Sequence, residues 1–331
     1  MSRPGSDLPT LARLLRCTEC FVELRVEGND LRCASCGAVY PVIDSTPRML
    51  PQRGADPQKD RTAASFAYEW DRFGALRAEW HKNFVDYLRP LTPEDLRDKL
   101  VLDVGAGSGR HSFHAAAEGA QVVAVDLGDS IDVARRNLPA AVLTVQADAD
   151  MLPFASDTFD IVMSLGVLHH LSDPEATLRR IVRHARPGGR VHVYLYWVPE
   201  RRWHRILLLA VSAARRLTTR LPHRVLHALC YPIAVALFLA FVSPHRVLRR
   251  HPSLRSLAAG FPLKTYADYS FGVLVNDQFD RFSAPIEHRY TRQEVAEMLG
   301  RSGLEDVVVV DNHGWVADGR RPQRSSPAAP R

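Results

Sequence analysis

The sequence predicts an α/β fold: an open, largely parallel sheet, with a small module in front of it and a helical insertion after its middle. Three observations predict it. From Lys99 onward the order strand, turn, helix repeats. The first strand, Leu100 to Val104, runs into Gly105-Ala106-Gly107-Ser108-Gly109, where glycines let the backbone turn sharply and approach a ligand closely. The second strand, Gln121 to Val125, ends in an acid, Asp126, about twenty residues on, where a carboxylate can grip ribose hydroxyls.

The chain has 331 residues, enough for one catalytic domain plus smaller additions. A hydrophobic share of 46% is ordinary for a globular protein. The net charge is +6, and the basic side is almost all Arg, with Lys only at 59, 82, 99 and 264. An Arg and Ala bias is also what a GC-rich genome produces, so it is discounted as a sign of nucleic-acid binding. Met1 to Cys20 holds no apolar stretch of signal-peptide length, which points to the cytoplasm and argues against disulfides. Cys230, alone in an apolar run, reads as packing.

Residues 1–50 form the front module. Cys17-x-x-Cys20 and Cys33-x-x-Cys36, twelve residues apart, have the spacing of a tetrahedral zinc site made of two thiolate pairs. Between them, Phe21 to Arg32 reads as strand, turn at Gly28-Asn29-Asp30, and returning strand. This resembles the zinc ribbon of the tRNA-methyltransferase activator type. Four thiolates leave zinc no open position, so such a Zn2+ is structural, and so small a module depends on it to fold.

Residues 51–98 read as a linker (51–61) and aromatic N-terminal helices. Phe66, Tyr68 and Trp70 cluster on the first of these; Phe66 is the candidate to close over a cofactor.

The glycine turn alone suits a nicotinamide dinucleotide equally well. Three features favour S-adenosyl-L-methionine (SAM). Asp103 precedes the first glycine, where it suits a cationic amino-acid end and would repel a pyrophosphate. Val145 to Phe154 resembles a segment that frames adenine, which would make Asp148 the acceptor for its amine. Phe159 to Ser164 runs into Leu165-Gly166-Val167-Leu168-His169-His170, and Arg186-Pro187-Gly188-Gly189-Arg190 opens the next strand. In this order and spacing the segments resemble the class I SAM-dependent methyltransferases that act on small molecules. The resemblance implies a Rossmann-like seven-stranded sheet with the last strand antiparallel, over a SAM-binding core at 99–199 and a C-terminal part at 257–320. It also implies that Asp103, Gly105, Ala106, Gly107 and Gly109 surround the methionine part of SAM. Asp126 and Leu127 would meet the ribose, Asp148 and Ala149 the adenine, and Ser164, Leu165 and Gly166 the floor beside the sulfonium.

An insertion at 200–256 delays the next element. Val225 to Val242 carries no charged side chain apart from His227, but Pro232 interrupts it and Arg flanks both sides, with no inside–outside asymmetry. A hydrophobic helical lid is the reading preferred over a membrane span. Contact with a membrane surface through 200–250, or with a second subunit, stays open. Asp280 to Tyr290 reads as a substrate-side loop, and Thr291 with Glu294 as a capping box opening a helix. Residues 321–331 read as a disordered tail.

The acceptor is a small, hydrophobic or lipid-like molecule, as in secondary metabolism, methylated on oxygen or carbon. Candidate bases are His169, His170, His288 and Tyr290; His288 is favoured for the acceptor side, and His169 could instead be a structural hydrogen-bonder. A tRNA- or protein-directed enzyme and a non-catalytic SAM-binding partner are the alternatives. Against nucleic acid stands the lack of an Asn/Asp-Pro-Pro-Tyr motif.

Overall fold

The computed structural model describes residues 12–51, 56–77, 80–199 and 202–323. The chain divides into two compact units. One comprises Met1–Ala67, Gly74–Val198 and Ile286–Arg331, the other Tyr68–Phe73 and Pro199–Pro285.

The first unit begins with antiparallel strands β1 (Leu24–Glu27), β2 (Asp30–Cys33) and β3 (Val39–Tyr40), then the short pair β4 (Val42–Ile43) and β5 (Thr46–Pro47). Helix α1 (Pro57–Phe73) starts inside the segment read as linker, because Pro57 suits a first helical turn, where no N–H is needed. Its last residues, Tyr68–Phe73, belong to the second unit. Helix α2 (Trp80–Leu88) follows.

The main sheet is built from β6 (Leu100–Val104), β7 (Gln121–Asp126), β8 (Leu143–Gln146), β9 (Phe159–Leu165), β10 (Ala185–Leu195), β11 (Glu305–Asp311) and β12 (Trp315–Arg320). Their order is β11-β12-β10-β9-β6-β7-β8, parallel throughout except where β12 runs antiparallel to β10 and β11. Helices α3 (Arg110–Ala117), α4 (Ser130–Asn137) and α5 (Pro174–Val182) make the crossovers. Strands covered on both faces need apolar residues at successive positions. Accordingly Leu102, Val104, Val123 and Val125 enter one buried cluster, while Val101, Val122 and Ala124 enter another. That alternation is the period of two of a strand.

β8 is the sheet's edge, and the front module covers it. Met49 N–H donates to the Gln146 carbonyl (2.7 Å), Arg48 bridges Gln146 in parallel, and the Thr46 and Thr144 hydroxyls are 2.6 Å apart. Covering an edge removes a row of unpaired backbone groups. At the other end Arg321, expected in the tail, pairs with Asp157 and donates to the Arg183 carbonyl. The rest of the tail, 324–331, lies outside the described residues.

The second unit is helical: α6 (Arg202–Thr218), α7 (His223–Leu248), α8 (Arg255–Ala259) and α9 (Phe271–Ser283). Pro244 removes the N–H that would bond the Ala240 carbonyl, and α7 widens into a π turn over Phe238–Val242 just before it. Leu226, Cys230 and Ala234, spaced four apart on α7, pack with Leu274, Val275 and Phe279 of α9. The insertion therefore extends past 256 to Pro285. Residues 280–283, read as loop, are the last turn of α9; only the stretch after Ser283 is open chain until α10 (Arg292–Arg301).

Candidate active site

The carboxyl ends of β6, β7 and β9 lie side by side, and the glycine turn follows β6. Gly105 has φ +80°, and a Cβ there would stand 2.3 Å from a methyl of Val167. Only glycine allows the turns after β6 and β9 to touch. The N–H groups of Gly105 and Ala106 both donate to the Val125 carbonyl (2.8 and 2.9 Å), fixing the turn against β7.

Asp126 holds the same turn from its other side. One carboxylate oxygen accepts from the Gly107 N–H (2.9 Å), the other from the Gly128 N–H (3.0 Å) and the Ser130 hydroxyl (2.6 Å). Burial raises its pKa, against these hydrogen bonds. Each oxygen has lone pairs beyond those in use. Asp103 lies behind the turn, buried, accepting from the Ser112 hydroxyl (2.6 Å). Burial, then the charge of Asp126, pushes it up to about 6. Gly109 begins α3, and Leu127, half-buried, gives its carbonyl to the Gln146 amide (3.1 Å).

Asp148 and Ala149 follow β8 and are half-buried. Asp148, however, already has a partner. Lys59 of α1 donates to both of its oxygens (2.9 and 2.7 Å) and to Asp150 (2.7 Å). Arg180 and Thr177 also reach Asp150.

On β9, the Ser164 hydroxyl donates to the Val104 carbonyl (3.2 Å), and Leu165 is buried. Gly166 has φ +84° with nothing within 4 Å of where a Cβ would stand. This open space at the end of β9, on the same sheet end as Asp126 after β7 and Asp148 after β8, suits a cationic nucleoside with hydroxyls and an amine to offer. A side chain at Gly166 would fill it.

Beyond Gly166 the four candidate bases separate. His169 is fully buried and stacked on Tyr196 at 3.8 Å; burial, then His170, drives its pKa well below the usual imidazole value. His288 donates its backbone N–H to the His169 carbonyl (2.8 Å), and its Nε2 donates to the Leu171 carbonyl (3.1 Å). The residue favoured as base is thus tied into the framework at both ends. Tyr290 is pushed up to about 12, by burial first and the Glu294 charge second, so it stays protonated. His170, like His288, has one ring nitrogen held as a donor by a backbone carbonyl, but it alone of the four faces the Phe66 ring. Its Nδ1 is 2.8 Å from the Ile286 carbonyl and must be the donor there, which assigns the lone pair to Nε2. The Phe66 ring lies 5.1 Å from its ring.

A methyltransferase-domain family model matches residues 102–193. The ubiquinone biosynthesis O-methyltransferase of Rhizobium etli (strain CIAT 652) is 32% identical over 181 residues, 46% of this chain and 71% of that protein. The chain belongs to the SAM-dependent methyltransferase family. The demethylmenaquinone methyltransferase of Clavibacter sepedonicus is 38% identical over 102 residues, 30% of this chain and 42% of that one. The bifunctional biotin biosynthesis protein BioHC of Cellvibrio japonicus (strain Ueda107) is 32% identical over 139 residues, 41% of this chain and 27% of that one. The chain thus spans less than half the length of these last two.

This methyltransferase carries a second candidate centre in its front module. The sulfurs of Cys17, Cys20, Cys33 and Cys36 all lie within 4.8 Å of one another. Cys17 and Cys36 are 3.5 Å apart, Cys20 and Cys33 3.4 Å. Tetrahedral thiolates about 2.3 Å from zinc stand roughly 3.8 Å apart, so the cluster fits that ion. The Glu19 N–H points at the Cys17 sulfur (3.4 Å), and the Tyr40 hydroxyl is 3.1 Å from it while accepting from the Thr18 N–H (3.0 Å). Sequence reasoning missed Tyr40 and Lys59. Lys59 carried a signal, as one of four lysines in an Arg-rich chain. Tyr40 carried none beyond its place in a short strand.

Proposed function

We propose that this methyltransferase moves the methyl group of SAM to a small hydrophobic acceptor, on oxygen or carbon, with His170 as the base. The place and pinned tautomer of His170 carry the reading: it stands four residues past Gly166, the end of the segment where the resemblance puts the sulfonium floor, and its Nδ1 donates to the Ile286 carbonyl, which leaves the lone pair on Nε2. The relatives named for ubiquinone biosynthesis and for demethylmenaquinone support an apolar acceptor.

Asp126 would hold the ribose hydroxyls, and Asp103 with Gly105, Ala106, Gly107 and Gly109 the amino-acid end. Asp148 would take the adenine amine once Lys59 yields it; Ala149 and Leu127 line the nucleoside. When bound, SAM supplies a methyl group on a sulfonium, an electrophile that needs alignment more than activation. The protein's own chemistry is then proton removal. Neutral His170 takes the acceptor's proton at Nε2 as the nucleophile forms, and the Ile286 carbonyl stabilises the imidazolium through Nδ1–H. His169 and His288 position that ring by tying Leu171, His169 and Ile286 to His288 and its neighbours.

The four cysteines would hold a structural Zn2+, and thiolates kept free for metal suit a reducing cytoplasm. The test is a pair of measurements on His170→Ala. Turnover with labelled SAM and a host extract should fall about 10²- to 10⁴-fold while S-adenosylhomocysteine affinity holds. Equal loss of both would make His170 a support for the fold instead.

A further inference from the structure

We infer that the second unit carries a docking surface for an anionic lipid bilayer, formed by α6 and α7. The surface is apolar and exposed. On α6, Ile206, Leu209 and Leu217 are 67%, 70% and 69% exposed, and they share one stripe at helical spacing (206, 209, 213, 217). On α7, Leu226, Cys230 and Ala234 form the buried stripe, while Ala228, Tyr231, Val235 and Leu239 form an exposed stripe on the opposite side. Leu239 is 63% exposed. A soluble helix of this size normally turns such residues inward; an exposed contiguous apolar face marks an interaction surface.

Charge selects the partner. From Arg201 to Ala267 the sequence has no Asp or Glu, but eleven Arg and Lys264. Arg216 continues the α6 stripe and Arg224 begins the α7 stripe; Arg220 lies between the two helices. All three are exposed, as are Arg250 and Arg255 at the far end of α7. Apolar side chains flanked by Arg are the pattern of a helix lying in a headgroup region, with guanidinium groups on lipid phosphates. Nucleic acid would use the arginines but has no place for Leu209, Leu217 and Leu239.

Connectivity decides between lying on the membrane and crossing it. α7 is the one described helix long and apolar enough to span. Yet β10 before the insertion pairs with β12 after it, residue for residue from Arg190–Arg320 to Leu195–Trp315. A single crossing would leave those two strands on opposite sides of the bilayer. α7 therefore lies in the interface.

The inference uses neither the glycine turn nor the acids around it, so its failure leaves the SAM reading untouched. The test is flotation of the full chain with vesicles of phosphatidylcholine alone or with about 30% phosphatidylglycerol, at about 0.1 and 0.5 M salt. Three proteins are compared: wild type, Arg216→Glu/Arg220→Glu/Arg224→Glu, and Leu209→Gln/Leu239→Gln. S-adenosylhomocysteine binding checks that each is folded. Wild type should prefer the anionic vesicles at least tenfold and lose that preference in high salt. The charge reversal should weaken binding about a hundredfold and the glutamine pair about tenfold. Equal binding to neutral vesicles, or folded variants that bind like wild type, would overturn the inference. So would a dimer in sedimentation that Leu209→Gln/Leu239→Gln dissolves while vesicles are ignored. Tighter binding to tRNA that ignores the glutamine pair would overturn it as well.

Discussion

The two units use charge and apolar surface in opposite ways. In the first, acids are drawn inward: Asp103 and Asp126 sit under a glycine turn, each held by short hydrogen bonds, with Asp103 pushed up to about 6. In the second, sixty-seven residues from Arg201 to Ala267 pass without an acid, and leucines that a core would hide face outward. Buried acids suit a small cation gripped from several sides. Exposed apolar stripes with arginines suit an extended anionic surface. The difference also separates what each unit needs from its sequence: the first needs particular residues at particular positions, the second only composition and helical spacing.

The largest effect to be expected in the first unit lies in the front module. Zinc binding supplies about 10–16 kcal/mol to small thiolate modules. Metal removal by a chelator, or Cys17→Ser, should therefore unfold residues 12–50 and uncover the β8 edge, read as rapid proteolysis within that segment. A ribbon that, free of zinc or as Cys17→Ser, resists protease as well as the zinc-loaded wild type would contradict this. The His170→Ala loss in turnover, about 10²- to 10⁴-fold, comes next. His288→Ala should instead lower the melting temperature, because the side-chain hydrogen bond to the Leu171 carbonyl goes with it.

Asp103 gives a pH dependence of definite sign. Its folded pKa, about 6, is above the ordinary 3.8, so the fold favours the protonated acid. That stability is fully present below about pH 4 and is lost as pH rises to and through about 6, amounting to about 3 kcal/mol. Asp103→Asn should flatten the stability curve of the ligand-free protein between those values, measured by urea unfolding. A curve as steep as wild type would place the titration elsewhere. The smallest effect is at Lys59. A partly buried pair is worth about 1 kcal/mol, so Lys59→Met should lower stability by that much and tighten S-adenosylhomocysteine about fivefold by freeing Asp148. Weaker binding would instead make Lys59 a ligand contact.

Most strands of the sheet and the glycine turn were legible because each rests on short-range rules: apolar runs for β6, β7, β9 and β10, glycines at Gly105 and Gly166, an acid ending β7, a capping box at Thr291 and Glu294; the seven-stranded count came from the family resemblance. Long-range pairing was not. Nothing local tells that Lys59 reaches Asp148 across 89 residues, or that Ile286 selects the tautomer of His170. For the same reason His288 looked free: its partner, the Leu171 carbonyl, is 117 residues away. The segment 280–283 reads as loop until α7 supplies the apolar stripe that holds α9 helical.

The central claim is that the sheet end carrying Asp126 and Gly166 binds SAM. Isothermal calorimetry of the full chain with SAM, and of Asp126→Ala alongside, tests it most directly. Wild type should bind with a stoichiometry of about one, and the variant should lose about a hundredfold in affinity, near 3 kcal/mol for a charged hydrogen-bond acceptor. No heat of binding in the wild type, or an Asp126→Ala isotherm that overlays it, would contradict the account.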